Sequence, residues 1–291
     1  MAKNRIFLPN FFVVGAQKAG TTTFYEIFSK HKEVFIPQKK ELRFFSYHYK
    51  KGIDWYLKKY FNLSSIHSYK AVGEVDPGYI SNSLVPARIR QDIGENVKII
   101  MIMRQPVKRA YSAYNMFKKF NSPEFKNWTI ESFENQLNKE NRGEVNSNFI
   151  AQGLYYQNYQ AYKKEFGAEN IKLIVFEDFI GNKRLEIVDE ICEFLGILKF
   201  EKQVVPVHAN KASLPKHKWL NFLYNSNPLM QRIRNILKSF PKLQGMIKNL
   251  LTTAPRKLSN AEINNITQLY FQDDINLLEK ELGYKIAKWK V

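Results

Sequence analysis

Two short apolar runs, each ending in a tight loop that opens a helix, most constrain what this chain can fold into. The first is Phe11-Phe12-Val13-Val14, followed by Gly15-Ala16-Gln17-Lys18-Ala19-Gly20 and a helical stretch from Thr21 to about Lys30. The second runs from Val97 to Met103, turns at Arg104-Gln105, and opens a helix at Pro106. Proline suits the first helical position, because its missing N–H would have no partner there. A third buried strand is predicted at Ile171–Phe176. Apolar strands this short, alternating with helices, are buried on both faces, which implies a parallel sheet with helices on both sides. The expectation is therefore an α/β fold: a P-loop-like parallel β-sheet flanked by helices on both faces.

Periodicity predicts further helices at 53–60, 83–92, 129–140, 154–166, 178–195 and 260–282. Ser259 and Glu262 stand at capping-box spacing at the start of the last, and Ile263, Ile266, Leu269, Ile275, Leu278 and Leu282 form its apolar stripe. No internal repeat or inter-domain linker interrupts the chain, so its 291 residues read as a single domain, 1–291. A lone cysteine, Cys192, excludes an internal disulfide, and the five histidines never fall at metal-ligand spacing. No apolar run approaches a membrane span. Pro9 and Asn10 interrupt the only stretch that could serve as a signal peptide, so a cytoplasmic location is expected.

The charge is lopsided: 45 Lys and Arg against 27 Asp and Glu, a net of +18. Such a balance calls for an anionic partner. Residues 203–261 form a basic, variable segment holding ten Lys or Arg and no acidic residue. Within it an apolar stripe (Leu229, Ile233, Ile236, Phe240, Leu243, Ile247, Leu250) favours core packing beside a basic groove. Peripheral membrane contact through 228–251 is the alternative use of that stripe. No nucleic-acid-binding motif accompanies the charge, so a nucleic-acid partner is not expected. The oligomeric state leaves no signal in the sequence.

The first loop offers a phosphate several partners. Gly20 allows a tight turn, the first helical amides point toward an anion, Thr21, Thr22 and Thr23 add hydroxyls, and Lys18 adds a charge. It is not a Walker A loop, in which Lys follows the second Gly directly. That order, and the lack of an acidic Mg²⁺ ligand, rank a P-loop nucleotide kinase below the main reading. At the second loop, Arg104 follows an apolar strand, and Arg109 and Ser112 share a helix face. Arginine grips phosphate bidentately. Both loops belong to the carboxyl ends of parallel strands, the edge where open α/β sheets bind ligands. Two such grips suggest a ligand with phosphates at both ends.

At these loops the sequence resembles the 3′-phosphoadenosine 5′-phosphosulfate (PAPS)-dependent sulfotransferases. Lys18, Gly20, Thr21, Thr22 and Thr23 match the loop that holds the 5′-phosphosulfate in that family, with Ala19 inside it. Arg104-Gln105-Pro106-Val107-Lys108-Arg109-Ala110-Tyr111-Ser112-Ala113-Tyr114 matches the Arg-x-Pro-x-x-Arg-x-x-Ser-x-Tyr motif, in which Arg104 and Ser112 would take the 3′-phosphate. More of the chain is similar to the heparan sulfate N-/O-sulfotransferase branch: Lys40-Glu41-Leu42-Arg43-Phe44-Phe45, Gly52-Ile53-Asp54-Trp55-Tyr56, Val72-Gly73-Glu74 through Tyr79, Gly153-Leu154-Tyr155, Phe176-Glu177-Asp178-Phe179 and the closing stretch Leu258 to Trp289.

The resemblance implies sulfuryl transfer from PAPS to a hydroxyl or amine of an acceptor, a glycan or glycoconjugate, without a metal. It assigns Glu41 as the base, with His48 as the alternative. Lys18 becomes the cation beside the leaving oxygen, and Tyr155 and Lys211 become further donor contacts. Two departures stand out. The glycan branch has Lys directly after the Glu74 position, where this chain has Val75. This chain also lacks the cysteines that pin a hairpin near the third donor-binding loop of that branch.

Overall fold

The computed structural model describes residues 8–61, 66–120, 132–200, 214–215, 232 and 251–290. Its centre is a five-stranded sheet: β1 (Phe11–Gly15), β2 (Val34–Phe35), β3 (Ala71–Val75), β4 (Lys98–Met103) and β5 (Ile171–Val175), in the order β2-β3-β1-β4-β5. Every pairing in it is parallel. From β1 the chain crosses to the edge strand β2, comes back to β3 beside β1, and then lays down β4 and β5 on the other side of β1. The connections leaving β1 and β4 thus run to opposite sides, and the crevice lies between the carboxyl ends of these two adjacent strands.

Both faces of the sheet are buried, as the apolar runs require. Phe11 and Val13 of β1, with Ile100 and Ile102 of β4, join one core cluster, while Phe12, Val14, Ile99 and Met101 join the other. On the first face lie α1 (Thr21–Phe28), α4 (Pro106–Phe120), α5 (Phe133–Asn141) and α8 (Arg184–Phe194); on the second lie α2 (Ile53–Tyr60) and α3 (Val85–Ile93). Each fully buried Phe or Val contributes about 1.5–3 kcal/mol. Helix α6 (Tyr155–Phe166) serves both faces, with Tyr155 in the first cluster and Tyr159, Tyr162 and Phe166 in the second.

The expected parallel α/β architecture is present, and several boundaries differ. The helix expected over 178–195 is two: α7 (Phe176–Phe179) and α8. Gly181 sits in the break, where an added Cβ would lie 2.7 Å from the Glu177 carbonyl. The helix expected over 260–282 is also two, α9 (Asn260–Tyr270) and α10 (Gln272–Leu282), separated at Phe271, whose φ is −128°. The Phe271 ring is buried against Gly153, with no room there for a Cβ. Leu269, expected in the core, is 64% exposed, while Ile263 and Ile266 of the same helix are buried. The capping box at Ser259 and Glu262 is formed in full.

Strand β3 escapes the search for apolar runs because Gly73 and Glu74 interrupt it. Gly73 is required by close approach: a Cβ there would lie 2.1 Å from the Phe11 carbonyl oxygen in β1. A short antiparallel pair, β6 (Leu214–Pro215) with β7 (Thr252–Thr253), completes the described elements. Most of the basic segment 203–261, including Lys211 and the stripe over 228–250, lies outside the described residues. Among the described residues no helix is long and apolar enough to cross a membrane.

Candidate active site at the carboxyl edge of the sheet

The loop after β1 is built to leave amides unclaimed. Lys18 and Gly20 both adopt left-handed backbone, at φ 68° and 94°. Gly20 is the N-cap of α1, and no side chain caps that helix. The first turn of a helix has N–H groups without intrahelical acceptors, and the helix dipole adds partial positive charge there. Gly20 is also needed for space, since a Cβ would lie 2.9 Å from the Phe176 ring. The Ala16 N–H donates to the Ile102 carbonyl (2.8 Å), and the Gln17 N–H donates to Gln152 Oε1 (3.0 Å), so the loop is tied to its surroundings on both sides.

Three cations meet at this loop. Burial, followed by repulsion from Arg104, lowers the pKa of the Lys18 ammonium. Lys40 Nζ donates to Thr22 Oγ1 (3.0 Å) and Thr21 Oγ1 (3.4 Å). Its pKa too is lowered by burial, against the opposing pull of Glu41 and Asp76. The Arg104 guanidinium donates to the Lys18 carbonyl (3.0 Å) and lies over the Phe176 ring at 4.8 Å. Crowded, partly desolvated positive charge of this kind suits a polyanion. Lys40 is a member of this group that reading the sequence did not single out.

The second loop is held rigidly by its backbone. The Tyr155 hydroxyl accepts the Arg104 N–H (3.1 Å) and donates to the Arg104 carbonyl (2.7 Å). Tyr155 is therefore buried behind Arg104, with its hydroxyl committed to fixing that residue. Arg109, expected on a phosphate-gripping face with Ser112, is wholly buried, and its Nη2 donates to the Asn148 (3.4 Å) and Phe149 carbonyls. It thereby braces the 148–151 loop, whose N–H groups at Phe149, Ile150 and Ala151 donate to Glu140 at 2.7, 2.9 and 3.0 Å. Gln152, the partner of the first loop, follows directly. Ser112 is half-buried, about two turns along α4. Lys211 lies outside the described residues.

Carboxylates form the other side of the crevice. Glu41 is partly exposed and lies 3.5 Å from Arg43, while His48 packs edge-on against Trp55 with ring centroids 6.1 Å apart. At the end of β3, Asp76 is buried and accepts the Arg43 N–H (2.8 Å) and the Gly78 N–H (3.0 Å). It thus fixes the left-handed turn at Arg43 (φ 54°) that follows Glu41. Burial and then the nearby Glu41 raise the Asp76 pKa to about 6. The same turn is secured from below. The Phe45 N–H donates to the Tyr79 hydroxyl (3.1 Å), and the Tyr79 carbonyl accepts from the Tyr162 hydroxyl of α6 (3.0 Å). Asp76 could have been found from sequence only once β3 was recognised: Asp76-Pro77-Gly78 is a turn signal at that strand's end.

Glu74 lies deeper in β3 and accepts a short hydrogen bond from the Tyr56 hydroxyl. Burial, with repulsion from Asp76, raises its pKa from 4.5 to about 8. The native state therefore keeps a proton that the unfolded chain releases, so this group's contribution to stability is lost as pH rises from 4.5 to 8. Glu74→Gln mimics the protonated form. Thermal melts from pH 5 to 8.5 are expected to show wild type losing on the order of 2–5 kcal/mol relative to Glu74→Gln. Parallel pH profiles for the two proteins would exclude Glu74 as the source of any slope.

Fold and site together define a parallel α/β protein whose first strand-to-helix loop opens an uncapped helix beside a second, arginine-bearing loop. The sulfotransferase-domain family profile matches residues 8–240, and the chain belongs to that family. Among curated relatives, the membrane-associated sulfotransferase kil1 of Dictyostelium discoideum is 34% identical over 137 residues, covering 46% of this chain and 28% of that protein. Heparan sulfate glucosamine 3-O-sulfotransferase 5 of Mus musculus is 29% identical over 171 residues, covering 57% of this chain and 47% of the relative. The chain thus spans less than half the length of either. Among solved structures, a sulfotransferase from Alicyclobacillus acidocaldarius shares the fold, with a TM-score of 0.67, 22% identity and coverage of 97% and 99% of the two chains. Among the described residues no group of three or more His, Cys, Asp or Glu side chains could hold a metal ion.

Proposed function

We propose that this sulfotransferase moves the sulfuryl group of PAPS to a hydroxyl or amine on a glycan or glycoconjugate. The observation that carries the reading is the convergence of Lys18, Lys40 and Arg104 on one uncapped helix start, with Glu41 and Asp76 at the facing edge. The amides and hydroxyls of Thr21, Thr22 and Thr23 would take the 5′-phosphosulfate, and Arg104 with Ser112 the 3′-phosphate. Held at both ends, the donor presents its sulfur toward the carboxylate side. Glu41 takes the acceptor's proton as the acceptor oxygen or nitrogen bonds to sulfur. The bond from sulfur to the bridging oxygen breaks, and Lys18 stabilises the charge left on the departing phosphate. The kinship with heparan sulfate enzymes and the surplus of cationic residues favour an acidic saccharide acceptor.

Calorimetric titration with adenosine 3′,5′-bisphosphate, using 5′-AMP and ATP as controls, tests the donor assignment. Micromolar binding of the bisphosphate is expected, with 5′-AMP weaker by about tenfold or more, since a charge-assisted hydrogen bond is worth ~1.5–3 kcal/mol. A preference for ATP would instead revive the kinase reading.

A further inference from the structure

The Arg104 loop is anchored by the far end of the chain. Glu177 divides its carboxylate: Oε1 accepts the Gln105 N–H (3.2 Å), and Oε2 accepts the indole N–H of Trp289 (3.2 Å). The buried Trp289 ring also packs on Tyr155, centroid to centroid at 5.5 Å. Tyr155 in turn holds both the N–H and the carbonyl of Arg104. One indole therefore touches both groups that clamp the backbone around Arg104. The start of α6, which carries Tyr155, has no capping side chain of its own; Asp274 of α10 accepts its N–H groups at Tyr156 (2.9 Å) and Gln157 (3.0 Å).

This arrangement matters because Glu177 is also within electrostatic reach of the Arg104 guanidinium. A carboxylate free to turn would pair with that guanidinium and compete with a phosphate for its N–H groups. Bonded to the indole, Oε2 is kept from doing so, and the guanidinium reaches the Lys18 carbonyl instead. We propose that Trp289 is a positioning residue for Arg104: it restrains Glu177 and braces Tyr155, so that the guanidinium stays available to an anionic group of the ligand. Trp289 does this without touching the ligand. The inference rests on the reading that Arg104 grips the 3′-phosphate.

The test compares adenosine 3′,5′-bisphosphate with 5′-AMP by calorimetry in the full chain. Trp289→Phe keeps an aromatic ring and removes the N–H. It is expected to weaken bisphosphate binding roughly five- to tenfold, the partial loss that follows when Glu177 competes for the guanidinium, and to leave 5′-AMP within about twofold. Adding Glu177→Gln should restore most of the loss, because an amide still accepts the Gln105 N–H but cannot ion-pair with Arg104. Arg104→Ala serves as the reference, with selective loss of the bisphosphate. Unchanged bisphosphate binding in Trp289→Phe, with Arg104→Ala impaired, would overturn the inference alone. So would equal losses for both nucleotides, or no rescue by Glu177→Gln. Should Arg104→Ala bind the bisphosphate normally, the phosphate assignment and the inference fall together.

Discussion

Glu41→Gln lowers turnover by about 10²–10⁴-fold while leaving affinity for adenosine 3′,5′-bisphosphate unchanged; that is the expected result if Glu41 is the general base. The substitution preserves shape while removing the charge and the capacity to take a proton. Glu41 is partly exposed, at the edge where an acceptor can reach it, and its turn is fixed through Arg43 and Phe45. His48, the rival, rests against Trp55, and His48→Ala is expected to keep most of the rate. Single-turnover transfer of labelled sulfate to a mixed pool of desulfated saccharides measures both variants. A slow His48→Ala beside a near-normal Glu41→Gln would exchange their roles.

The second large effect belongs to Lys18. Lys18→Met is expected to slow transfer by on the order of 10²–10³-fold, in the range seen when one preorganised stabiliser of developing charge is removed. Methionine keeps the length of the side chain and bears no charge. Both residues meet the same cost of left-handed backbone at φ 68°, so the comparison isolates the ammonium. Because charge on the bridging oxygen grows only as the sulfuryl group leaves, turnover should fall far more than product affinity does. Equal losses in the two would reduce Lys18 to an ordinary binding residue.

What could be read in advance follows a physical pattern. Strands β1 and β4 were legible because strands buried on both faces are almost wholly apolar, and the edge strand β5 because four of its five residues are apolar. Strand β3 was not, because its Gly73 answers to the backbone of a neighbour and its Glu74 is buried in protonated form. The loop after β1 was legible, since Gly20 and the three threonines that open α1 are contiguous. Lys40 and Asp76 were missed because each joins the site through contacts distant in sequence, with Thr22 and with Arg43. Arg109 shows the opposite error: it belongs to the recognised motif, yet its guanidinium serves the Asn148 and Phe149 carbonyls inside the protein. The helix break at Phe271 was hidden because an apolar stripe does not reveal which apolar residue must leave the helix to meet Gly153.

Helix α6 joins the two halves of the crevice. Near one end Tyr155 grips the backbone of Arg104; two turns on, Tyr162 holds the carbonyl of Tyr79, whose hydroxyl secures the turn after Glu41. Seven residues of helix span about 10 Å, and such a rod barely stretches. It works as a ruler, setting the gap between Arg104 and the turn that follows Glu41. If Arg104 holds the donor and Glu41 takes the proton, as proposed, this fixed span selects acceptors by where their reactive atom falls.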